Sequence, residues 1–319
     1  MIIFVVGMPR SGSTLLSRYL NLMDGVASLN DFYFYQWLAV NFNLYRKDRE
    51  LFHKAALEYL SWFFQERALV NDPFEGQLDL DECDIARVMS QLTADVPSSL
   101  MRFDQIVSHY YLCIKAALNA EVLVDKTPQN FMHADTLLKI DDTVKFLYLL
   151  REPISTVCSF KYANFKGHDK RRYHPYIYAK YWLKTYKSYL TRKHEDNFYL
   201  LRYEDLAESP CAVKSVFYEL GLDSGAVVFP DAGRLGNNSS NKSSSSRSLT
   251  ELEIRILQHV LEKVPNELGY YFPQCRKVNF EDFLYLLKTT VTFMFFNLKR
   301  LLSDADSRNR ILTFIKIKG

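Results

Sequence analysis

The sequence predicts an α/β fold: a parallel sheet flanked by helices. Three observations carry this expectation. Short apolar, β-rich runs recur at Met1–Val6, Glu121–Asp125, Val144–Leu150 and Asn197–Leu201, and each is followed by a segment with helical spacing. Strands alternating with helices give parallel pairing through crossovers. A glycine-containing loop joins the first strand to the first helix, the usual place for a site in such a sheet. With 319 residues and 48% apolar content, the chain can bury a large core.

The first strand ends at Gly7, and Gly12, Ser13 and Thr14 follow closely. In the next segment Leu15, Leu16, Tyr19, Leu20 and Met23 share one helical face. A strand, a tight loop and a helix in that order aim backbone N–H groups and the positive end of a helix dipole at one point. The natural occupant is an oxyanion such as phosphate. A nucleotide triphosphatase loop reads G-x-x-x-x-G-K-[ST]. Gly7 to Thr14 keeps both glycines and the final hydroxyl, but Ser13 stands in place of the lysine. The positive charge has moved to Arg10, whose fork suits an oxyanion bidentately. Without the lysine a γ-phosphate loses its main partner, which disfavours ATP or GTP hydrolysis.

A short strand over Gly25–Leu29 ends at Asn30 and Asp31. Asp31 thus stands at the same sheet edge as the Arg10 loop, or else it caps the helix that follows. From Phe32 to about Ala120 the pattern is helical and strand signals are missing, as expected of a cap over the sheet that walls an acceptor site. His53 and His109 have no partner spacing and read as structural. Lys126 directly follows the strand ending at Asp125 and is either an edge residue or a solvated lysine. Thr127 is a candidate N-cap and Pro128 suits the first turn of a helix running to Ile140.

The strand Val144–Leu150 ends at Arg151, Glu152 and Pro153, with a helix over Ile154–Phe165. Ser159 lies eight residues after Arg151, two turns into that helix, so the two can share a small anion. An aromatic helix over Arg171–Lys193 precedes the last strand, then Arg202, Tyr203, Glu204, Asp205 and Leu206. Gly233–Arg247 is polar and serine-rich, by composition a linker. Leu249–Val264 is an amphipathic helix with Ser248 or Thr250 as cap. In the tail, Phe283–Leu298 is apolar but holds Lys288, so it is too short and polar to span a bilayer. It reads as a core-packing helix, with an interfacial helix flanked by Lys299 and Arg300 as the alternative that gives peripheral membrane contact.

A net charge of +3 gives no sign of a nucleic-acid coat. The five cysteines are scattered, odd in number and without C-x-x-C spacing, against a disulfide framework or a zinc site. They suit a reducing compartment. No secretory signal precedes the first strand, so a cytoplasmic location is expected.

The stretch PRSGST after an apolar strand, together with R-E-P and a serine eight residues after the arginine, resembles the 3′-phosphoadenosine 5′-phosphosulfate (PAPS)-dependent sulfotransferase superfamily. The resemblance is nearest to its bacterial and carbohydrate or tyrosyl-protein branch, and it is anchored over Val5–Asp31 and Val124–Asp205. It implies a P-loop NTPase-like sulfotransferase fold with a helical cap, over a domain of residues 1–275 with the cap at about 32–120 and a helical extension over 276–319. It implies that Pro9, Arg10, Ser11, Gly12, Ser13 and Thr14 hold the 5′-phosphosulfate and that Arg151 and Ser159 hold the 3′-phosphate. Tyr203 would line the nucleotide. A Gly/Ser loop would fold over the 3′-phosphate, with Gly236, Asn237, Ser239, Lys242 and Arg247 as candidates. Lys126 would stabilise the bridging oxygen, and Asp31 falls where the tyrosyl-protein branch has a glutamate base. Glu152 departs from the usual Asp or Asn, and Pro128 stands where the cytosolic branch has a histidine. The implied reaction is sulfuryl transfer to a hydroxyl or amine of a saccharide or other small molecule, without metal. Competing readings are an atypical P-loop kinase and a non-catalytic nucleotide-binding protein.

Overall fold

A computed structural model describes residues 1–65, 78, 80–94, 101–163, 173–208, 210–223, 227, 248–262, 267–270 and 279–303. Five strands form one sheet: β1 (Ile2–Gly7), β2 (Val26–Asn30), β3 (Val122–Lys126), β4 (Val144–Leu150) and β5 (Phe198–Arg202). Their order is β2-β3-β1-β4-β5 and every pairing is parallel. β1 lies at the centre, and all six of its residues are buried. That position explains why its sequence is a continuous apolar run rather than an alternating one.

The pleat divides β1 between two cores. Ile2, Phe4 and Val6 face the cap helices, whereas Ile3 and Val5 face α1 (Ser13–Leu20) on the other side. The cap consists of α2 (Phe34–Lys47), α3 (Arg49–Phe63), α4 (Glu82–Ala94) and α5 (Phe103–Ala117), inserted between β2 and β3. Asp48 starts α3 by accepting from the Leu51 amide at 2.9 Å. Aromatic packing binds cap to sheet: Phe4 meets Tyr111 edge-on at 5.5 Å and stacks on Phe146 at 5.2 Å.

After β3 the chain makes a 3-10 turn, Pro128–His133, and one short helix, α6 (Ala134–Leu137), in place of the single helix expected to run to Ile140. The reason is local: Thr127 does not cap a helix, because its hydroxyl donates to Asp125 and accepts from the Tyr33 amide. The remaining helices are α7 (Pro153–Lys161), α8 (Pro175–Arg192), α9 (Tyr203–Glu208), α10 (Pro210–Glu219), α11 (Glu251–Leu261) and α12 (Phe280–Ser303). Of the two candidate caps for α11, Thr250 is the one used, in a reciprocal capping box with Glu253. The expectation that the tail helix packs into the core does not hold. α12 is attached through polar side chains and leaves large apolar ones in solvent.

Parallel pairing brings all strand ends to one edge. Gly7 registers with Leu149, Asn30 with Lys126, and Leu150 with Arg202. A Cβ at Gly7 would stand 2.5 Å from the Leu149 carbonyl oxygen, so glycine lets β1 and β4 close up just before the loop. Gly7→Ala is therefore expected to destabilise the fold by about 1–3 kcal/mol, the range for a forced backbone shift, as a lower midpoint in urea unfolding.

Candidate active site

The loop after β1 is turned tightly. The Ser11 amide and hydroxyl both donate to the Met8 carbonyl, at 3.2 and 2.8 Å. Arg10 has φ 76°, in the left-handed region that a non-glycine residue occupies only under constraint. Gly12, at φ 93°, occupies the N-cap position of α1 and no side chain caps that helix. A Cβ on Gly12 would lie 2.3 Å from the Tyr203 ring, so only glycine fits between the loop and α9. Pro9 and Thr14 are half-buried beside it, and Ser11 and Ser13 are buried.

Arg151 lies across from this loop, at the end of β4. Its Nη1 donates to the Arg10 carbonyl at 3.3 Å, and its guanidinium stacks over the Tyr203 ring at 4.3 Å. The Arg10 guanidinium is held below the usual arginine range, first by burial and then by the nearby charge of Arg151. The Arg151 carbonyl accepts from Trp182 Nε1 at 2.8 Å, which ties the strand end to α8. Glu152 faces away from the loop: its carboxylate caps α7 through the Ile154 and Ser155 amides at 3.0 and 2.6 Å. Glutamate thus does the capping work here that a shorter Asp or Asn does elsewhere. Ser159 is half-buried on α7, two turns on; the hydrogen bond of Arg151 goes to Arg10 rather than to Ser159.

On the other side of the loop, Lys126 and Asp31 are joined. Lys126 Nζ donates to Asp31 Oδ1 at 2.7 Å, and the Asp31 amide donates to the Lys126 carbonyl at 2.9 Å. The lysine side chain is 3% exposed and the aspartate 36%, so the pair presents its carboxylate outward. Asp31 is not a helix cap, because the N-cap position of α2 is Tyr33 and no side chain caps it.

Behind this pair stands a residue that the sequence reading had passed over. Asp125 is completely buried and accepts from Tyr111 Oη at 2.6 Å, Thr127 Oγ1 at 2.5 Å and Asn130 Nδ2 at 2.9 Å. Thr127 Oγ1 in turn accepts from the Tyr33 amide at 3.0 Å. The Asp31–Tyr33 turn, with φ 53° at Asp31 and 51° at Tyr33, is therefore held from below. The signal was available: a carboxylate on the last inward position of a buried strand needs donors, and Thr127 is adjacent. Glu204 was likewise overlooked as a brace; it accepts from the Glu152 amide at 2.8 Å and from Tyr270 Oη at 3.1 Å.

Asn237 and Lys242, with Gly236, Ser239 and Arg247, lie outside the described residues. His53 is structural, bonded through Nδ1 to Tyr110 Oη at 2.9 Å. Among the described residues no group of three or more His, Cys, Asp or Glu could hold a metal.

The family model for the sulfotransferase family matches residues 3–223, and the chain belongs to that family. Its activity class is accordingly that of a sulfotransferase. A search of curated protein sequences returns no significant match. Similar solved structures include the sulfotransferase domain of the Synechococcus PCC 7002 olefin synthase, at 17% identity and a TM-score of 0.45 over 91% of this chain and 94% of that one. A sulfotransferase of Mycobacterium tuberculosis H37Rv is similar at 18% identity and a TM-score of 0.40, over 82% of this chain and 75% of its own. Likeness at this level assigns no residue a role.

Burial pushes the Asp125 carboxyl up to about 6 from 3.8. The folded state then holds its proton more tightly than the unfolded chain. The resulting stabilisation is complete below about pH 4 and is lost as pH rises through 6. Relative to Asp125→Asn, wild-type stability should fall by about 2 kcal/mol between pH 4 and pH 7, each pKa unit being worth about 1.4 kcal/mol. Urea titrations of both proteins across that range test this.

Proposed function

We propose that the protein transfers the sulfuryl group of PAPS to a hydroxyl or amine of a saccharide or other small acceptor. The observation that carries this reading is the paired cations Arg10 and Arg151 beside an uncapped helix N-terminus, with Lys126 on Asp31 at the neighbouring strand end. The residues suit the donor. The uncapped amides at the start of α1 favour close approach of a 5′-phosphosulfate to the backbone. Pro9, Arg10, Ser11, Ser13 and Thr14 would surround it. Arg151, steadied on Tyr203, would take the 3′-phosphate together with Ser159, a group that ATP lacks.

When bound, PAPS supplies an activated sulfuryl group on a bridging oxygen. Asp31 would accept the proton of the acceptor hydroxyl as that oxygen bonds to sulfur. Lys126 would meet the charge that develops on the bridging oxygen as its bond to sulfur breaks, so adenosine 3′,5′-bisphosphate leaves as the anion. Arg10 and the loop amides would hold the non-bridging oxygens. The catalysis is positioning and charge stabilisation, as in phosphoryl transfer. Tyr33, half-buried two residues past Asp31, offers a ring for an acceptor to pack against.

Transfer of label from PAPS to a panel of saccharides, peptides, lipids and phenols, without added Mg²⁺, tests the reaction; a requirement for Mg²⁺ and ATP would instead identify a kinase. Adenosine 3′,5′-bisphosphate should raise the melting temperature by far more than ATP does, with stabilisation of about 2.7 kcal/mol at about a hundredfold excess over Kd. Arg151→Ala should remove most of that preference, a loss of roughly 1.5–3 kcal/mol. Equal shifts with the two nucleotides would argue against a 3′-phosphate site.

Asp31→Asn should reduce turnover by about 10²–10⁴-fold and leave the bisphosphate-induced shift nearly intact. Its starting melting temperature should drop, because the buried Lys126 loses its charge partner. Lys126→Ala should reduce turnover as well and weaken nucleotide binding modestly. An Asp31→Asn enzyme that keeps more than about half the wild-type rate, where loss of a base should cost at least about 10²-fold, eliminates Asp31 as the base.

A further inference from the structure

We propose that the outward face of α12 docks on the surface of an anionic lipid bilayer. The helix is attached the opposite way round from a core helix. Its ties to the body are mainly polar: Tyr285 Oη donates to Glu253 Oε1 at 2.9 Å, Asp282 pairs with Arg255 at 3.4 Å, and Thr290 Oγ1 meets His174 Nε2 at 2.9 Å, with the Phe293 ring edge-on to His174 at 5.7 Å. Its large apolar side chains face solvent. Phe280, Leu287, Met294, Phe295, Leu298 and Leu302 are each between 51% and 76% exposed. At 100° per residue these six fill a stripe about 100° wide, on the side opposite Asp282 and Tyr285. A continuous apolar stripe on a helix of 24 residues is a binding surface rather than scattered surface apolarity.

Charge selects the occupant. Glu281, Lys288 and Lys299 are exposed along one rim of the stripe. From Lys288 to the C-terminus the sequence holds seven basic residues and two acidic ones, although the whole chain carries only +3. The positive excess is therefore concentrated in this segment, and the rest of the chain is slightly acidic. The two lysines of this rim outnumber its one carboxylate, and the basic excess of the segment suits anionic headgroups, which neutralise it. No described helix is long and apolar enough to cross a membrane, so α12 would lie along the interface.

Trp182 of α8 bonds to the Arg151 carbonyl at the carboxyl edge of the sheet. His174, two turns before it, holds α12, and Tyr176 and Ile177 beside it are exposed. α12 is thus tied to the N-terminal end of α8, the helix whose Trp182 bonds to the strand end carrying Arg151.

Flotation of the full chain with vesicles tests this independently of any activity. The protein should float with phosphatidylcholine vesicles holding about one-third phosphatidylserine, stay behind with phosphatidylcholine alone, and be released by salt. Leu287→Glu with Met294→Glu should abolish flotation. Lys288→Gln with Lys299→Gln should weaken it about 25-fold, about fivefold per lysine at about 1 kcal/mol each. Unchanged far-UV circular dichroism and cooperative melting would show that these exposed substitutions leave the fold intact. Absence of flotation, equal binding to neutral vesicles, or flotation insensitive to Leu287→Glu/Met294→Glu overturns the proposal. So does a dimer, seen by light scattering, that the same pair dissociates and that does not float.

Discussion

The structure turns on holding two guanidinium groups together at the end of a parallel sheet. Arg10 and Arg151 repel, and burial raises the cost of keeping them charged. Each brace around them opposes that repulsion. The Tyr203 ring takes one face of Arg151, and the Arg10 carbonyl and Arg151 Nη1 turn a like-charge contact into a hydrogen bond. Trp182 fixes the Arg151 carbonyl, while Glu204 fixes the next amide. Gly12 is what allows Tyr203 close enough to reach both the loop and Arg151. An anion bound here would relieve the repulsion, so affinity follows from work already done in folding.

The second pair obeys a different balance. Lys126 is nearly fully buried, and a buried ammonium needs a partner. Asp31 meets that need from a left-handed turn held by the Asp125–Thr127–Tyr33 chain. The same carboxylate remains open on its outer side. In the proposed reaction, a base that also neutralises the lysine would tie proton transfer to leaving-group charge, since what happens to one partner changes the field at the other.

The fold class and the loop were legible because both rest on local rules. Buried parallel strands read as continuous apolar runs, and the order of strand, glycine loop and helix has one geometric outcome. Asp31 and Lys126 could be placed at the edge, but their bond could not, because it depends on β2 pairing with β3 across the whole cap insertion. The Asp125 hub was legible in part, since Thr127 and Asn130 lie two and five residues on; the third donor, Tyr111, 14 residues back on a cap helix, needs the fold to place it. The tail was misjudged on composition. Apolar residues at helical spacing say that a face is buried by something, not that this chain buries it.

That last point bears on how α12 joins the rest. Glu253 is fully buried, and it accepts from Lys161 Nζ at 2.7 Å, the Thr250 amide at 2.7 Å and Tyr285 Oη at 2.9 Å. Lys161 ends α7, the helix that carries Ser159 and starts beside Arg151. One carboxylate therefore links the tail helix to the helix that would bind the 3′-phosphate, with Thr250 capping α11 in the same network. A buried network of this kind tolerates little rearrangement, because each donor lost leaves a buried charge exposed to the full desolvation penalty. It follows that α12 is held in a fixed pose relative to α7. An apolar face kept outward by such a network, rather than folded in, is a face the fold holds ready for another surface.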